Sequence, residues 1–413
     1  MKNKLYLKLD NLISDFIRGV SFNDTQSSSY RTDDNTPVLR ATNVVGNGFD
    51  FSNLVFVPKE IVKDKQKLKK DDIVLITSSG SKALVGRTAF VENDSEYAIG
   101  AFLSIVRTNK NGVPKFLYYL LNSILFRKHL DGLVGGTSIN NFKKSYFEYL
   151  DLNIPPIPTQ QKIVKVLDGI AAGVAKQKEI IETTKELKKS VMKKLFCEGT
   201  RGEKLRKTEI GKISVSWDLV KLGDVVQVNP RSSNKLNDGE KVGFITMSDV
   251  SNEGNIQKVQ ERLYKEVKNG FTKFENGDYL FAKITPCMEN GKGGLYRSSK
   301  FNYCFGSTEF HILRATKKIL PEFIGYLVNI EKFRKTAAEN MTGACGQKRV
   351  PKDFLIEYII GLPSVEEQKE IAAILQKIDE RIESAQAQKK LYEELFNNTL
   401  NKLMTGGVDV ENI

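Results

Sequence analysis

Apolar residues recur with a 4-3 spacing in two Pro-free stretches that begin near Gln160 and Gln368. Ten positions follow this spacing in each stretch, and seven of them in the first and eight in the second are apolar. Such a seam predicts two long helices of the sort that pair as a coiled coil. The symmetry of the two stretches leads to the hypothesis that they pair antiparallel. The predicted seam residues are Ile163, Leu167, Ile170, Val174, Ile181, Val191, Leu195, Ile371, Leu375, Ile378, Ile382, Tyr392, Phe396 and Leu403.

The alternative is that each helix packs only on its own globular domain. Length argues against it, because about 37 helical residues span roughly 55 Å, more than the face of a small domain. Charge favours pairing between the two helices. The first carries nine Lys against four acids between Lys162 and Lys194, whereas the second carries eight acids against six bases.

The whole chain repeats itself at an offset of about 208 residues. Gln160 matches Gln368 at an offset of 208, the segment from Pro114 matches that from Pro321 at 207, and Asp72 matches Asp278 at 206. Small changes of offset are expected from loop insertions between two copies of one unit. The chain is therefore predicted to be a tandem duplication, each copy a globular part followed by a helical part.

The globular parts are predicted to be mixed α/β domains. Four runs are typical of strands, namely 73–77, 96–99, 279–282 and 301–305, and helices are expected to start at Pro114 and Pro321. The predicted fold class is α+β, with two tandem domains separated by the two long helices. The predicted boundaries are 1–153 and 214–361 for the two globular domains, and 154–213 and 362–413 for the helical regions.

Composition narrows the function classes. The 413 residues carry 63 Lys+Arg against 50 Asp+Glu, a net charge of +13, which makes a polyanion the first partner to consider. No apolar run approaches the roughly 20 residues of a membrane span, and the start lacks a signal-peptide core. We therefore expect a cytoplasmic protein without a membrane partner. The four Cys are far apart, which indicates neither a disulfide framework nor a metal site.

The sequence also lacks the usual catalytic motifs. There is no phosphate-binding GxxxxGK[ST] loop and no Asn/Asp-Pro-Pro-Tyr/Phe motif of an amino-methyltransferase. Glu367-Gln-Lys369 fits a bare nuclease ExK fragment, but it lies at the first turn of a predicted helix. With only two His, the chain is predicted to be a binder with no catalytic residues and no metal ligands of its own.

Loops rich in Lys, Arg, Ser, Thr, Asn and Gln supply the groups that contact phosphates and base edges of DNA. Ordinary solvated turns are the alternative for each residue, but equivalent positions in both copies favour a shared role. The DNA-binding candidates are Ser78, Ser79, Ser81, Lys82, Arg87, Thr137, Ser138, Asn140, Asn141 and Lys143 in the first copy, and Lys283, Thr285, Asn290, Lys292, Thr342, Gln347, Lys348 and Arg349 in the second.

The order of these parts resembles the specificity subunit (HsdS) of a type I restriction–modification system over essentially the whole chain. The helix entrances Ile-Pro-Pro-Ile-Pro-Thr-Gln-Gln (154–161) and Leu-Pro-Ser-Val-Glu-Glu-Gln (362–368) carry the resemblance most strongly. The openings Tyr-Leu-Lys-Leu-Asp (6–10) and Leu-Val-Lys-Leu-Gly-Asp (219–224) are similar to the usual start of target-recognition domains. Thr159 departs from the family pattern, which favours Glu as at Glu367.

The resemblance implies a non-catalytic subunit. Each target-recognition domain would read one half of a bipartite site in double-stranded DNA, and the paired helices would set the spacer. Two methyltransferase subunits would dock on the helical core and methylate adenine N6 from S-adenosylmethionine. Restriction subunits would add translocation and cleavage, so ATP and Mg are expected on partner subunits and no cofactor on this chain. Two alternatives stay open, namely an architectural or regulatory DNA-binding protein without enzyme partners, and a coiled-coil scaffold that binds proteins only.

Overall fold

A computed structural model describes residues 9–46, 48–81, 83–133, 141–148, 154–231, 236–344 and 346–405. The chain divides into two compact units. Unit 1 is Met1–Lys178 with Ala387–Ile413, and unit 2 is Glu179–Gln386. Each unit contains a globular part and sections of both long helices.

Unit 1 contains a four-stranded sheet of order β1-β9-β6-β7, a three-stranded sheet β5-β2-β8 and the hairpin β3-β4. Neighbouring strands run antiparallel except for β2 and β8, which are parallel. Its strands are β1 Ile13–Arg18, β2 Asn35–Leu39, β3 Val44–Val45, β4 Gly48–Phe49, β5 Val55–Pro58, β6 Ile73–Ile76, β7 Thr88–Phe90, β8 Ala98–Ile99 and β9 Leu103–Thr108. The helices α1 Pro114–Asn122 and α2 Ile124–Leu133 follow, then α3 Ile157–Glu198.

Strand β6 is an inner strand of the four-stranded sheet of unit 1 and is fully buried. A strand with four consecutive apolar residues is typical of a sheet covered on both faces. Ile73 and Leu75 belong to the core cluster that includes α1 and α2, whereas Val74 and Ile76 belong to the cluster formed with the second sheet. The alternation of side chains along a strand thus divides β6 between two cores.

Unit 2 repeats this plan. Its sheets have the orders β13-β20-β17-β18 and β15-β14-β19-β16, with β14 and β19 parallel, and β10-β11 and β12-β21 form two-stranded sheets. The strands are β10 Leu205–Thr208, β11 Gly211–Ser214, β12 Asp218–Lys221, β13 Val226–Val228, β14 Lys241–Ile245, β15 Gln260–Leu263, β16 Thr272–Glu275, β17 Asp278–Ala282, β18 Gly293–Leu295, β19 Tyr303–Gly306, β20 Phe310–Ala315 and β21 Ile359–Leu362. The helices are α4 Tyr264–Val267, α5 Pro321–Leu327, α6 Glu331–Glu339, α7 Lys352–Glu357 and α8 Val365–Met404.

Strand β17 is the counterpart of β6. Tyr279 and Phe281 belong to the core cluster that includes α5 and α6, and Leu280 and Ala282 belong to the cluster that includes the second sheet. Because strand order, connection and layer assignment recur, the predicted duplication and the mixed α/β fold class are confirmed. The predicted helix starts at Pro114 and Pro321 are also confirmed. The exact domain boundaries stay a prediction.

The two long helices pack against each other and run antiparallel. In unit 1, Ile163 and Leu167 near the start of α3 share a core cluster with Leu400 and Leu403 near the end of α8. In unit 2 the order is reversed, since residues near the end of α3, such as Leu195, cluster with residues near the start of α8. Lys188 and Asp379 form an ion pair on that section. Lys194, Lys389 and Lys390 pair within their own helices, and Lys185 pairs with Glu253 outside the helices. The apolar seam therefore contributes more than charge to the pairing.

Most predicted seam residues are buried or half-buried, but Tyr392 departs from that pattern. Its side chain is 37% exposed. The ring lies against Gly173, where a side-chain Cβ would come within 2.8 Å of it. Because Gly173 has no side chain, one face of the Tyr392 ring can lie against the backbone of α3. No side chain at position 173 covers the rest of the ring, which stays exposed. The spacing also missed Met192 and Leu400, which are 7% and 3% exposed.

Candidate nucleic-acid interface

In unit 1, two predicted loop segments that are far apart in sequence lie side by side. The first follows β6, and the described part of the second begins at Asn141. Ser78 and Asn141 form an isolated antiparallel bridge, and the Phe142 amide donates to the Thr77 carbonyl at 2.6 Å. The buried ring of Phe142 fixes the second segment to the α1–α2 core. Polar residues of both segments therefore share one surface.

Unit 2 brings its two segments together in the same way. Ile284, just after β17, forms an isolated antiparallel bridge with Arg349. The Thr285 amide donates to the Lys348 carbonyl at 3.0 Å, and the Val350 amide donates to the Lys283 carbonyl at 2.9 Å. The bridge of unit 1 recurs here at offsets of 206 and 208 residues, with different residue types.

The structure sorts the predicted residues by exposure. Several are exposed, namely Ser81, Asn141, Lys143, Asn290, Thr342, Gln347 and Lys348. Others are half-buried, namely Ser78, Ser79, Arg87, Lys283, Thr285, Lys292 and Arg349. Lys82, Thr137, Ser138 and Asn140 lie outside the described residues. The DNA-binding assignment of the whole set stays a prediction.

Most of the half-buried residues already have protein partners, and Arg349, Lys292 and Arg87 are examples. Arg349 forms a two-point ion pair with Glu309, with Nη2–Oε1 and Nε–Oε2 distances of 2.8 and 2.9 Å. Lys292 donates to the Met247 carbonyl at 2.9 Å, and Arg87 Nε donates to the Ala83 carbonyl at 3.1 Å. Because these bonds hold the loops in place, we expect such residues to shape the surface more than they contact a ligand.

A basic cleft of about 500 Å³ lies beside the unit 2 segments. Arg231, Lys273 and Lys283 line it. Lys273 lies 4.6 Å from the centre of the Tyr303 ring, and burial lowers the pKa of its ammonium group. Sequence reasoning found Lys283 and missed Arg231 and Lys273. Lys273 lies in the middle of β16, outside any polar run. Arg231 does begin a polar run, Arg-Ser-Ser-Asn-Lys (231–235), but that run was not among the predicted segments.

Asn229 and Ile312 line the same cleft, and Asn229 contacts the buried His311. Asn229 Oδ1 accepts from the Ile312 amide at 2.9 Å, so its Nδ2 donates to His311 Nδ1, also at 2.9 Å. His311 Nε2 then donates to the Val350 carbonyl at 2.8 Å. This arrangement requires the neutral Nε2–H tautomer, and burial lowers the pKa of His311.

We expect acid to destabilise unit 2 through His311. Its pKa is lowered in the folded state, so below the unfolded value of about 6.5 the unfolded chain binds more protons and stability falls, by at most about 1.4 kcal/mol per pH unit. Denaturant unfolding at pH 7.5 and 5.5, followed by fluorescence of Trp217, the single Trp, measures the effect. His311→Gln should reduce this difference. Equal differences in both proteins would contradict the role assigned to His311.

The ExK fragment at the start of α8 has a structural role. Glu367 is 2% exposed. Its carboxylate accepts from the Trp217 indole and from the Thr200 amide, each at 2.9 Å. Thr159 is the repeat equivalent of Glu367, at an offset of 208 residues.

The described residues lack two kinds of feature. No group of three or more His, Cys, Asp or Glu in the described ranges is placed to hold a metal ion. No helix among those residues is both long enough and apolar enough to cross a membrane.

Two globular units with an equivalent central sheet, equivalent bridged loops and antiparallel helices define a duplicated recognition protein. The family model of the type I restriction modification DNA specificity domain matches the chain twice, at residues 20–186 and 214–393. The chain therefore belongs to the specificity subunits of type I restriction–modification systems and carries two DNA specificity domains.

Individual relatives agree with the family. The chain is 28% identical over 402 residues to the type I restriction enzyme EcoKI specificity subunit of Escherichia coli (strain K12), covering 95% of this chain and 84% of that protein. It is 26% identical over 400 residues to the StySPI specificity subunit of Salmonella potsdam, with the same coverage.

Solved structures share the fold. A chain from a structure on complex assembly and conformational transition of the type I R-M system superposes with a TM-score of 0.58 at 16% identity, over 98% of both chains. The type I restriction-modification system S subunit from M. genitalium gives a TM-score of 0.55 at 15% identity, over 98% of this chain and 97% of that one.

Proposed function

We propose that each unit reads one half of a bipartite site in double-stranded DNA. The observation that carries this proposal is the recurrence of one loop arrangement with different residues. Ser78 meets Asn141 in unit 1, and Ile284 meets Arg349 in unit 2. One frame with two sets of side chains is suited to reading two different half-sites, because base edges are distinguished by donor and acceptor patterns.

Each unit would combine two kinds of contact. In unit 2 the cleft lined by Arg231, Lys273 and Lys283 is suited to phosphate, which positions the duplex without reading sequence. The exposed Asn290 and Gln347 nearby carry the paired donor and acceptor groups that read base edges. Binding should therefore weaken steeply with salt, since each neutralised phosphate releases counterions.

The paired helices would serve as a spacer and as the docking site for partner subunits. Helix α3 has 42 residues, about 63 Å at 1.5 Å per residue. On this proposal the chain itself is non-catalytic and acts in the cytoplasm. Two methyltransferase subunits bind S-adenosylmethionine and methylate adenine N6, and restriction subunits use ATP and Mg for translocation and cleavage.

Lengthening both helices tests the spacer role. By the antiparallel register that places Gly173 beside Tyr392 and Lys188 beside Asp379, Thr183 lies opposite Glu383. Four helix-forming residues inserted after each of these two would extend the pair by about 6 Å and preserve the pairing. At about 3.4 Å per base pair, the gap between half-sites should grow by one to two base pairs.

Sequencing of methylated sites in cells that carry the complete system measures the gap. The matched control replaces four residues at each position with alanine and leaves the helix length unchanged, so its gap should equal that of the parent. An insertion variant with an unchanged gap, or with altered half-sites at a constant gap, would count against the spacer role.

A further inference from the structure

Each unit holds an arginine beneath its first recognition loop. Arg127 lies on α2 and Arg334 on α6, and they are 207 residues apart, the same offset that relates Pro114 to Pro321. Neither residue belongs to the polar runs that mark the candidate interface. Both guanidinium groups point at the backbone of the loop that joins β6 to β7 or β17 to β18.

Arg334 is 8% exposed. Its Nη1 donates to the Met288 carbonyl at 3.0 Å, and its Nη2 donates to Asn329 Oδ1 at 2.8 Å and to the Gly291 carbonyl at 3.4 Å. The guanidinium lies 4.5 Å from the centre of the Phe281 ring. Among the described residues its Nε has no hydrogen-bond partner. These partners are neutral, so the burial of this cation is costly and needs a compensating role.

Arg127 makes the equivalent contact in unit 1. Its Nη1 donates to the Val85 carbonyl at 2.7 Å, at the turn that leads into β7. Gly86 follows with φ of +83°, and Gly291 in unit 2 has φ of +82°. Burial lowers the pKa of both arginines, and for Arg127 the nearby Arg87 lowers it further. Each arginine thus holds a loop carbonyl at the left-handed turn before the next strand.

We propose that Arg127 and Arg334 are positioning residues for DNA recognition, which fix the loop backbone from within and never touch DNA. The proposal rests on the proposed function, because the loops they hold are the predicted reading loops. Arginine is suited to this role, since its planar fork donates to several carbonyls at once, whereas lysine offers a single point charge. Each arginine should govern only the half-site that its own unit reads.

The test uses the chain in complex with its modification subunits and duplexes built on the site determined for the wild-type complex. Arg334→Gln should lower discrimination against single-base changes in the half read by unit 2 by about tenfold, the contribution of one base contact. Discrimination in the other half should stay within about twofold, and Arg127→Gln should give the mirror result. Arg334→Lys should rescue little, because one ammonium cannot replace the fork.

Lys335→Gln and Lys128→Gln are matched controls, since they remove one exposed positive charge from the same two helices. They should leave discrimination in both halves unchanged. Hydrogen exchange should be faster at residues 284–292 in Arg334→Gln than in its control. If Arg334→Gln does not fold, the less buried Arg127 decides the question through Arg127→Gln.

Unchanged discrimination in both glutamine variants would overturn the proposal. So would an equal loss in both halves together with a lowered melting temperature, since that pattern reflects general destabilisation. A wild-type complex that shows no two-part recognition would overturn the proposed function, and this inference with it. If the wild-type complex recognises a two-part site and both glutamine variants keep its discrimination, only this inference is overturned.

Discussion

Replacing Asp278 with asparagine is expected to lower the free energy of unfolding of unit 2 by about 3 kcal/mol, at the lower end of the range for breaking a buried ion pair. Asp278 is fully buried and accepts from Arg314 Nε and Nη2, both at 2.7 Å. It also accepts from the Glu275 amide at 2.8 Å. The neutral side chain would leave Arg314 without this charge partner, although Glu275 also pairs with Arg314 and limits the loss.

The duplication supplies a matched comparison. Asp72, the equivalent residue of unit 1, is 2% exposed and binds Arg107 Nε at 2.7 Å and Nη2 at 3.0 Å. Arg107 otherwise donates to two backbone carbonyls. Asp72→Asn should therefore lower the free energy of unfolding of unit 1 by about 3–5 kcal/mol, more than Asp278→Asn lowers that of unit 2.

Denaturant unfolding measures both effects. Trp217 fluorescence reports on unit 2, and circular dichroism reports on the whole chain. Glu96→Gln is the control, because the pair between Arg31 and Glu96 is exposed and should contribute less than about 1 kcal/mol. If Asp278→Asn were no more destabilising than Glu96→Gln, the buried pair could not be an important determinant of stability.

Replacing Gln368 with alanine is expected to lower the free energy of unfolding of unit 2 by about 2–4 kcal/mol and to loosen the junction between α8 and its domain. The side chain is fully buried. Its Oε1 accepts from the Leu320 amide at 2.9 Å, and its Nε2 donates to the Lys318 and Pro363 carbonyls, both at 3.0 Å. Removal would leave buried backbone groups without partners, at about 1–3 kcal/mol each before relaxation.

Gln160 repeats this arrangement group by group in unit 1. Its Oε1 accepts from the Val113 amide at 2.8 Å, and its Nε2 donates to the Pro155 carbonyl at 2.9 Å and the Asn111 carbonyl at 3.3 Å. Gln160→Ala should cost unit 1 a similar amount. Each glutamine therefore ties the start of a long helix to the loop before α1 or α5.

Gln376→Ala serves as the control on α8, because Gln376 is exposed and bonds only to Glu380 within the same helix. Its cost should stay below about 0.5 kcal/mol. Gln368→Glu is the sharper variant, since a carboxylate keeps the acceptor and loses both donor contacts. An unfolding free energy for Gln368→Ala equal to that of Gln376→Ala would contradict the stabilising role assigned to the buried Gln368 hydrogen bonds.

The repeat could be predicted from the sequence because it depends on spacing alone. Gln160 and Gln368 stood out as matched positions, and each bonds to three backbone groups at equivalent places in its own unit. Asp72 and Asp278 also matched, but their partners Arg107 and Arg314 could not be assigned. Those arginines lie on the neighbouring strands β9 and β20, and strand pairing is set by long-range packing that no local pattern records.

The candidate site was predicted less completely. Polar loops marked the segments after β6 and β17, and the structure places each beside its second segment. The pattern did not separate residues that face solvent from residues such as Arg349, which Glu309 already binds. It also missed Arg127 and Arg334, because an arginine in a helix has the same sequence signature whether it points outward or under a loop.

The division of the chain has a consequence for synthesis. Unit 2 is continuous, from Glu179 to Gln386, whereas unit 1 needs a section of α8 that is translated after all of unit 2. Leu400 and Leu403 belong to the cluster around Ile163 and Leu167. The core of the first domain therefore stays open on the ribosome until the second domain is complete. Domains usually fold in the order of translation, but here the last helix, α8, completes the core of the first domain.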